Sequence, residues 1–240
     1  GRSMEQALRE ATKSRDRARH GYSKIAERGA RRGEYLAALQ KAAASDADVL
    51  VIVLLGQDLV QTMRLAQTLE LGKRMQIIVP NLTQSIVEQA GPLVMENVIG
   101  TEAWTWRVPK LVDSVEGQTF VDRFIAQHQA YPGSTAASAY GIVRQWAAAA
   151  QRAGSLDSEA VIAALEGHRY RLLKDEQYWR DFDHQNVQSI YAVRVRNRSE
   201  IMQDRFKQDY FTIIHRMDGE EAAPSLDDWQ QERGDQLQLQ

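Results

Sequence analysis

Four polar side chains stand out because each closely follows an apolar run. Gln57 and Asp58 come after Asp48-Val-Leu-Val-Ile-Val-Leu-Leu55, and Asn81 and Thr83 come after Met75-Gln-Ile-Ile-Val79. The Gln57 amide offers both a donor and an acceptor, and the Asp58 carboxylate can accept an ammonium or amide proton. That is chemistry for recognising a small polar solute rather than for making bonds. A plainer assignment stands beside it: Asp58 capping the next helix, and Asn81 shaping the turn after Pro80. Familiar catalytic patterns are missing from the sequence. There is no Gly-x-Ser-x-Gly, no phosphate-binding glycine loop ending in Lys-Ser/Thr, and no His-Glu-x-x-His. Histidines 20, 128, 168, 184 and 215 are scattered. Asp181, Asp183 and His184 are close, but no further ligand stands at a recognised metal spacing. The expectation is no catalysis, no cofactor and no metal.

The elements that would position these residues are legible from hydrophobic period. Asp48–Leu55 is short and apolar enough for a strand covered on both faces, as in a parallel sheet. Leu59, Met63, Ala66, Leu69 and Leu71 then recur at helical spacing, with Gly72-Lys73 as a stop. Met75–Val79 predicts a second strand, Gln84–Gln89 a short helix capped by Thr83, and Asn97–Thr101 a third strand. Strand–helix–strand alternation forces right-handed crossovers, so the loops Gly56–Asp58 and Asn81–Thr83 fall on one sheet edge. In open α/β sheets that edge binds ligands.

The flanking segments read less simply. Ser3 with Gln6 fits a capping box for a first helix with Met4, Ala7, Leu8 and Ala11 inward. Lys13–Gly33 carries no strand-like run, and Tyr35–Ala43 restarts a helix. Val108–Gly117 reads as a polar connection. Three helices follow, around Phe120–Tyr131, Ala137–Gly154 and Val161–Leu165, the last capped by Asp157. His168–Leu173 and Gln188–Val195 predict strands separated by the polar loop Lys174–Gln185. Met202–Lys207 predicts a short helix and Tyr210–His215 a last strand. From Asp218 the chain turns acidic and Gln-rich, as in a tail disordered apart from Trp229.

Composition narrows the classes. The 240 residues are 43% hydrophobic and 26% charged with a formal net charge of -2, ordinary for one large or two small globular domains. This balance gives no reason to expect nucleic acid or an acidic membrane as partner. The arginines between Arg9 and Arg32 read as a solvated segment, with a phosphate-binding patch as the alternative. With no cysteine, disulfides, zinc thiolates and cysteine nucleophiles are excluded. The alanine-rich Ala136–Ala153 comes nearest to a membrane span, but Arg144, Gln145, Gln151 and Arg152 interrupt it. The opening Gly1-Arg2-Ser3-Met4 shows no secretory signal and suggests part of a longer protein.

An ordered series of segments then carries a resemblance. Gly1–Ala11, Ala47–Val51 followed by Gly56-Gln-Asp58, Val79-Pro-Asn-Leu-Thr83, Val98–Thr101 and Ala136–Tyr140 belong to it, as do Leu173–Gln177 and Asp181–Gln185. From Gly1 to about His215 the chain resembles the substrate-binding proteins of ABC transporters of the branched-chain amino acid type. The resemblance implies the type 1 periplasmic binding fold: two α/β lobes joined by a hinge crossed three times, closing on a solute without chemistry. It also implies that the N-terminal half of the first lobe is lacking here. Residues 1–103 would form a second-lobe α/β domain, 104–167 a hinge crossing with first-lobe helices, 168–217 the return crossing and terminal strands, and 218–240 a tail. By position, the resemblance implies ligand contacts from Gln57, Asp58, Asn81 and Thr83, and from Glu102, Trp104 and Trp106 at the hinge. Tryptophans there suit an apolar wall under a small ligand, or packing between lobes. The implied partners are an amino acid, amide or related metabolite and the permease subunits, with a monomeric protein in the periplasm. The alternative is a sensing module of the same fold that regulates a receptor or partner protein.

Overall fold

The computed structural model describes residues 2–12, 20–25 and 30–233. Much of the Lys13–Gly33 stretch and the end of the tail therefore lie outside the described residues. The chain runs α1 (Arg2–Ala11), α2 (Arg32–Ala43), β1 (Val49–Val51), α3 (Gly56–Thr68), β2 (Gln76–Val79), α4 (Gln84–Ala90), α5 (Pro92–Met95) and β3 (Ile99–Glu102). It continues as α6 (Val108–Leu111), α7 (Val115–His128), α8 (Ser134–Ala153), α9 (Ser158–Leu165), β4 (Arg169–Tyr170), β5 (Gln177–Trp179) and β6 (Asn186–Val187). Last come β7 (Ile190–Val195), α10 (Arg198–Gln203), β8 (Phe211–Met217), α11 (Gly219–Ala222) and α12 (Leu226–Arg233). Two compact units result: unit 1 is Gly1–Thr101 with Val193–Thr212, and unit 2 is Glu102–Ala192 with Ile213–Gln240. The chain thus passes between units at three places, inside β3, β7 and β8. The segment 168–217 is shared by both units.

Unit 1 is built on parallel pairing. β1 pairs with β2 and β2 with β3, with Val51 opposite Ile78 and Val79 opposite Gly100. The sheet order is β1-β2-β3-β7-β8. α3 buries Leu59, Val60, Met63, Leu65 and Ala66, the stripe its helical spacing demands. The expected long strand Asp48–Leu55 is corrected. Only Val49–Val51 pairs as a strand, and it sits at the end of the sheet order, so Val49 is 48% exposed. Ile52 still donates to the Ile78 carbonyl at 2.9 Å, but the chain then leaves the sheet to start α3. At the amino end, Ser3 lies inside α1 rather than at its cap, and Ala7 and Ala11 are exposed.

Unit 2 is a helical layer with a small antiparallel sheet, β4-β5-β6. The three expected helices are α7, α8 and α9, and the Asp157 carboxylate accepts from the Ala160 amide at 3.1 Å to cap α9. The stretch taken as a polar connection is largely helical, as α6 and the start of α7. The expected strand His168–Leu173 shrinks to β4, and the expected loop Lys174–Gln185 contains β5. The expected disordered tail instead holds two short helices, α11 and α12, as far as Arg233; Trp229, excepted from that expectation, meets the Phe182 ring edge-on at 5.5 Å. Among the described residues no helix is long and apolar enough to cross a membrane.

Candidate functional site

The turn after β2 is the best-defined part of the sheet's carboxyl edge. Gly100 on β3 has no side chain because a Cβ there would lie 2.4 Å from both Leu82 Cβ and the Val79 carbonyl oxygen. That close approach lets fully buried Leu82 fold down over β3. The Leu82 amide donates to the Thr101 carbonyl at 3.1 Å, and the Asn81 amide reaches Thr101 Oγ1 at 3.4 Å. Asn81 occupies the left-handed region, with φ of 55°, which asparagine tolerates better than most residues. Its side chain is exposed, at the end of a fastened turn. Thr83 occupies the cap position of α4 but does not cap with its side chain; its hydroxyl lies 3.1 Å from Ser85 Oγ instead.

Gln57 and Asp58 belong to the first turn of α3, not to a loop, and Leu55 takes the cap position. Gln57 is exposed, and its amide donates to Gln89 Oε1 at 3.0 Å. Asp58 is partnered by the hydroxyl of buried Tyr35 on α2. Burial first, and then the hydrogen bond and charge of Asp58, push the Tyr35 hydroxyl pKa up. Asp58 therefore ties α2 to α3, and a carboxylate in a helix's first turn also suits the helix dipole. Gln57 and Asn81 thus follow neighbouring parallel strands on the same edge, Gln57 bonded to Gln89 and Asn81 exposed.

In unit 2, Glu102 is 6% exposed at the end of β3. Trp104 is a core residue. It is 3% exposed, its indole N–H donates to the Leu173 carbonyl at 3.1 Å, and it meets the Phe120 ring edge-on at 5.9 Å. Its apolar surface is spent inside unit 2, so it supports the segment from within. Trp106 is half-buried and stacks on Tyr131 at 4.0 Å with the rings nearly parallel. The Arg107 guanidinium lies 4.7 Å from the same ring's centroid.

Asp181, Asp183 and His184 do not act together. Asp183 accepts from Nε and Nη2 of Arg180, at 2.9 and 2.5 Å. Asp181 accepts from the Phe182 amide, and His184 pairs with Glu166 at 2.9 Å. The Arg180 hydrogen bond holds the Asp183 carboxyl below the usual carboxylate range.

Sequence reasoning missed a buried polar cluster in unit 2. Lys174 is 3% exposed, and its ammonium donates to the carbonyls of Ala103 at 2.7 Å and Ser189 at 2.5 Å and to Gln188 Oε1 at 3.3 Å. Burial pulls its pKa down to about 7; Asp175 opposes that pull and Arg216 adds to it. Asp175 accepts from Ser189 Oγ at 2.6 Å and from the Arg216 guanidinium. Ala103, Ser189 and Arg216 each stand within a few residues of one of the three crossings. The only local signal was a lysine directly following the apolar pair Leu172-Leu173.

Comparison with known proteins places this architecture. A family model described as periplasmic binding protein matches residues 7–200. Among curated protein sequences none matches. A periplasmic binding protein from Burkholderia mallei superposes with a TM-score of 0.67 at 24% identity, covering 79% of this chain and 48% of that one. An amino acid ABC transporter substrate-binding protein from Pseudomonas fluorescens gives 0.71 at 22% identity, covering 89% and 56%. A leucine-, isoleucine-, valine-, threonine- and alanine-binding protein from Brucella ovis gives 0.65 at 17%, covering 86% and 50%. The chain therefore spans about half the length of these solved relatives. The α/β architecture with its parallel β1-β2-β3 sheet is that of the type 1 periplasmic binding fold with an incomplete lobe, and the chain belongs to the periplasmic binding protein family.

Proposed function

We propose that this chain is the solute-binding part of an ABC importer, holding a small amino acid, amide or related metabolite without chemistry and passing it to permease subunits in the periplasm. One observation carries the reading. Two adjacent parallel strands in a member of this family are followed by exposed polar side chains at the carboxyl edge of the sheet, Gln57 beyond β1 and Asn81 beyond β2, and open α/β sheets bind ligands at that edge. Asn81 contributes a carboxamide from a turn that is already fastened, so little ordering cost attends binding. Thr83 adds a hydroxyl beside it, and Gln57 exchanges its Gln89 partner for ligand. Asp58 serves first as the acceptor for Tyr35 and offers its remaining lone pairs to an ammonium group. In unit 2, Glu102 and Trp106 remain candidates on the strength of the family resemblance, with Trp104 as their internal support.

Calorimetric titration with the standard amino acids and simple amides tests this reading. Binding of one chemical class, weakened at least tenfold by Asn81→Ala, is the expected result. Heat that is unchanged by Asn81→Ala and Gln57→Ala together would remove the site from this edge.

A further inference from the structure

Unit 2 holds a pocket of about 260 Å³ whose walls are mostly charged. Pockets for drug-sized ligands begin at about 300 Å³, so this one suits a smaller solute. Its residues all belong to unit 2, and none is among the solute contacts considered above. The walls are held by bonds already made. The Arg216 guanidinium is gripped by two carboxylates: Nε donates to Asp175 Oδ2 at 3.0 Å, and Nη1 lies 2.8 Å from Asp218 Oδ1. Ser189, 3% exposed, donates its hydroxyl to the same Asp175 oxygen at 2.6 Å. Gly219 brings the chain after β8 against Gln188, where a Cβ would lie 2.7 Å from the backbone nitrogen. Arg169 lies over the Tyr178 ring at 4.3 Å and donates to Glu176 Oε1 at 2.9 Å, while the Tyr178 hydroxyl bonds to Glu220.

The hydrogen-bonding capacity left over has both signs. Arg171 is exposed, and among the described residues its guanidinium has no partner. Asp218 is 68% exposed and meets Arg216 through Oδ1, which leaves Oδ2 as an acceptor. Asp175 Oδ1 is buried with no hydrogen-bond partner, an acceptor that lacks its donor. Three guanidinium groups against four carboxylates give a simple anion no net attraction, and unpartnered Arg171 repels a simple cation. A ligand carrying both charges answers both remainders.

We propose that this pocket is a second binding site, for a small zwitterion of the free amino acid class, with Arg171 taking the carboxylate and the carboxylates of the Asp218–Glu220 wall taking the ammonium. It lies wholly in unit 2 and does not depend on the solute-binding reading of unit 1.

The test is chemical-shift mapping of the isotopically labelled chain with three probes of one skeleton, glycine, acetate and methylammonium, at constant ionic strength and neutral pH. Glycine should move the backbone amides of Ser189 and Gly219 and the Arg171 Nε–H signal to saturation, with acetate and methylammonium weaker by about tenfold or more. Arg171→Gln changes an exposed side chain with no partner to lose, and it should weaken glycine by about tenfold or more. Asn81→Ala in unit 1 should leave these shifts unchanged, which separates the pocket from the solute edge. Four results would overturn the proposal: no saturable shift of these signals, acetate or methylammonium bound as tightly as glycine, glycine binding untouched by Arg171→Gln, or glycine binding lost in Asn81→Ala.

Discussion

Replacing Lys174 with methionine keeps the length of the side chain and removes its charge, which isolates one pH-dependent contribution to the stability of unit 2. In the folded chain the ammonium loses its proton near pH 7, against 10.5 for a free lysine, chiefly because it is buried. Between those values the unfolded chain binds a proton that the folded chain has released, so stability rises with pH across the window. Each pKa unit is worth about 1.4 kcal/mol, and the partial titration at the lower end leaves a gain of about 2 kcal/mol from pH 7 to pH 9. Other shifted groups act outside that interval. Burial lowers His168 from 6.5, so it contributes below pH 7, and Tyr170, Tyr191 and Tyr210, pushed up to about 12, contribute above pH 10. All five tryptophans lie in unit 2, so urea unfolding followed by tryptophan fluorescence reports on that unit alone. The wild-type midpoint should climb from pH 7 to pH 9, and Lys174→Met should flatten that climb. The absolute offset at any one pH is a poorer readout. Methionine ends the burial of a charge, but it also leaves the Ala103 and Ser189 carbonyls without their donor. A wild-type midpoint that is flat over this interval, or a slope that survives in Lys174→Met, refutes the reasoning.

Asp183→Asn should lower the stability of unit 2 by about 3 kcal/mol, because it leaves the Arg180 guanidinium, 8% exposed, without its carboxylate. The same variant should resist mild acid better relative to its own neutral value. The depressed Asp183 pKa means that its stabilisation is complete above the ordinary carboxylate range and lost as pH falls through the folded pKa; urea midpoints at pH 7 and pH 3 check both statements. Gly100→Ala should cost about 1–3 kcal/mol in unit 1, because its new methyl collides with Leu82 and the Val79 carbonyl. Circular dichroism in urea reads that loss, and weaker ligand binding should accompany it as the Asn81 turn is pushed off β3. Trp104→Phe should destabilise unit 2 by about 2 kcal/mol through the orphaned Leu173 carbonyl, with the far-ultraviolet spectrum unchanged at 25 °C.

Local pattern carried much of unit 1. β2 and β3 fall within two residues of the expected strands, because a short alternating run bounded by turn residues has few other uses. β1 was overestimated because apolar content cannot tell a central strand from an edge strand; only the partners can. Gln57 and Asp58 were read as loop because the Gly56 turn signal is strong, yet Gly56 opens the helix. Their present partners, Gln89 and Tyr35, are far off in sequence and had no local mark. Lys174 is the clearest example. Its acceptors stand 71 and 15 residues away, so nothing near it revealed that a cation would be buried. β5 escaped notice because three residues of Gln-Tyr-Trp within a polar stretch make no period.

The binding claim is tested most directly by amide chemical-shift mapping of the isotopically labelled chain during titration with the ligand class found by calorimetry. The Gln57 and Asn81 side-chain NH2 signals should move together with the backbone amides of Asp58 and Thr83, saturating at the calorimetric Kd. Shifts that bypass the ends of β1 and β2 while binding saturates elsewhere in the chain would contradict it.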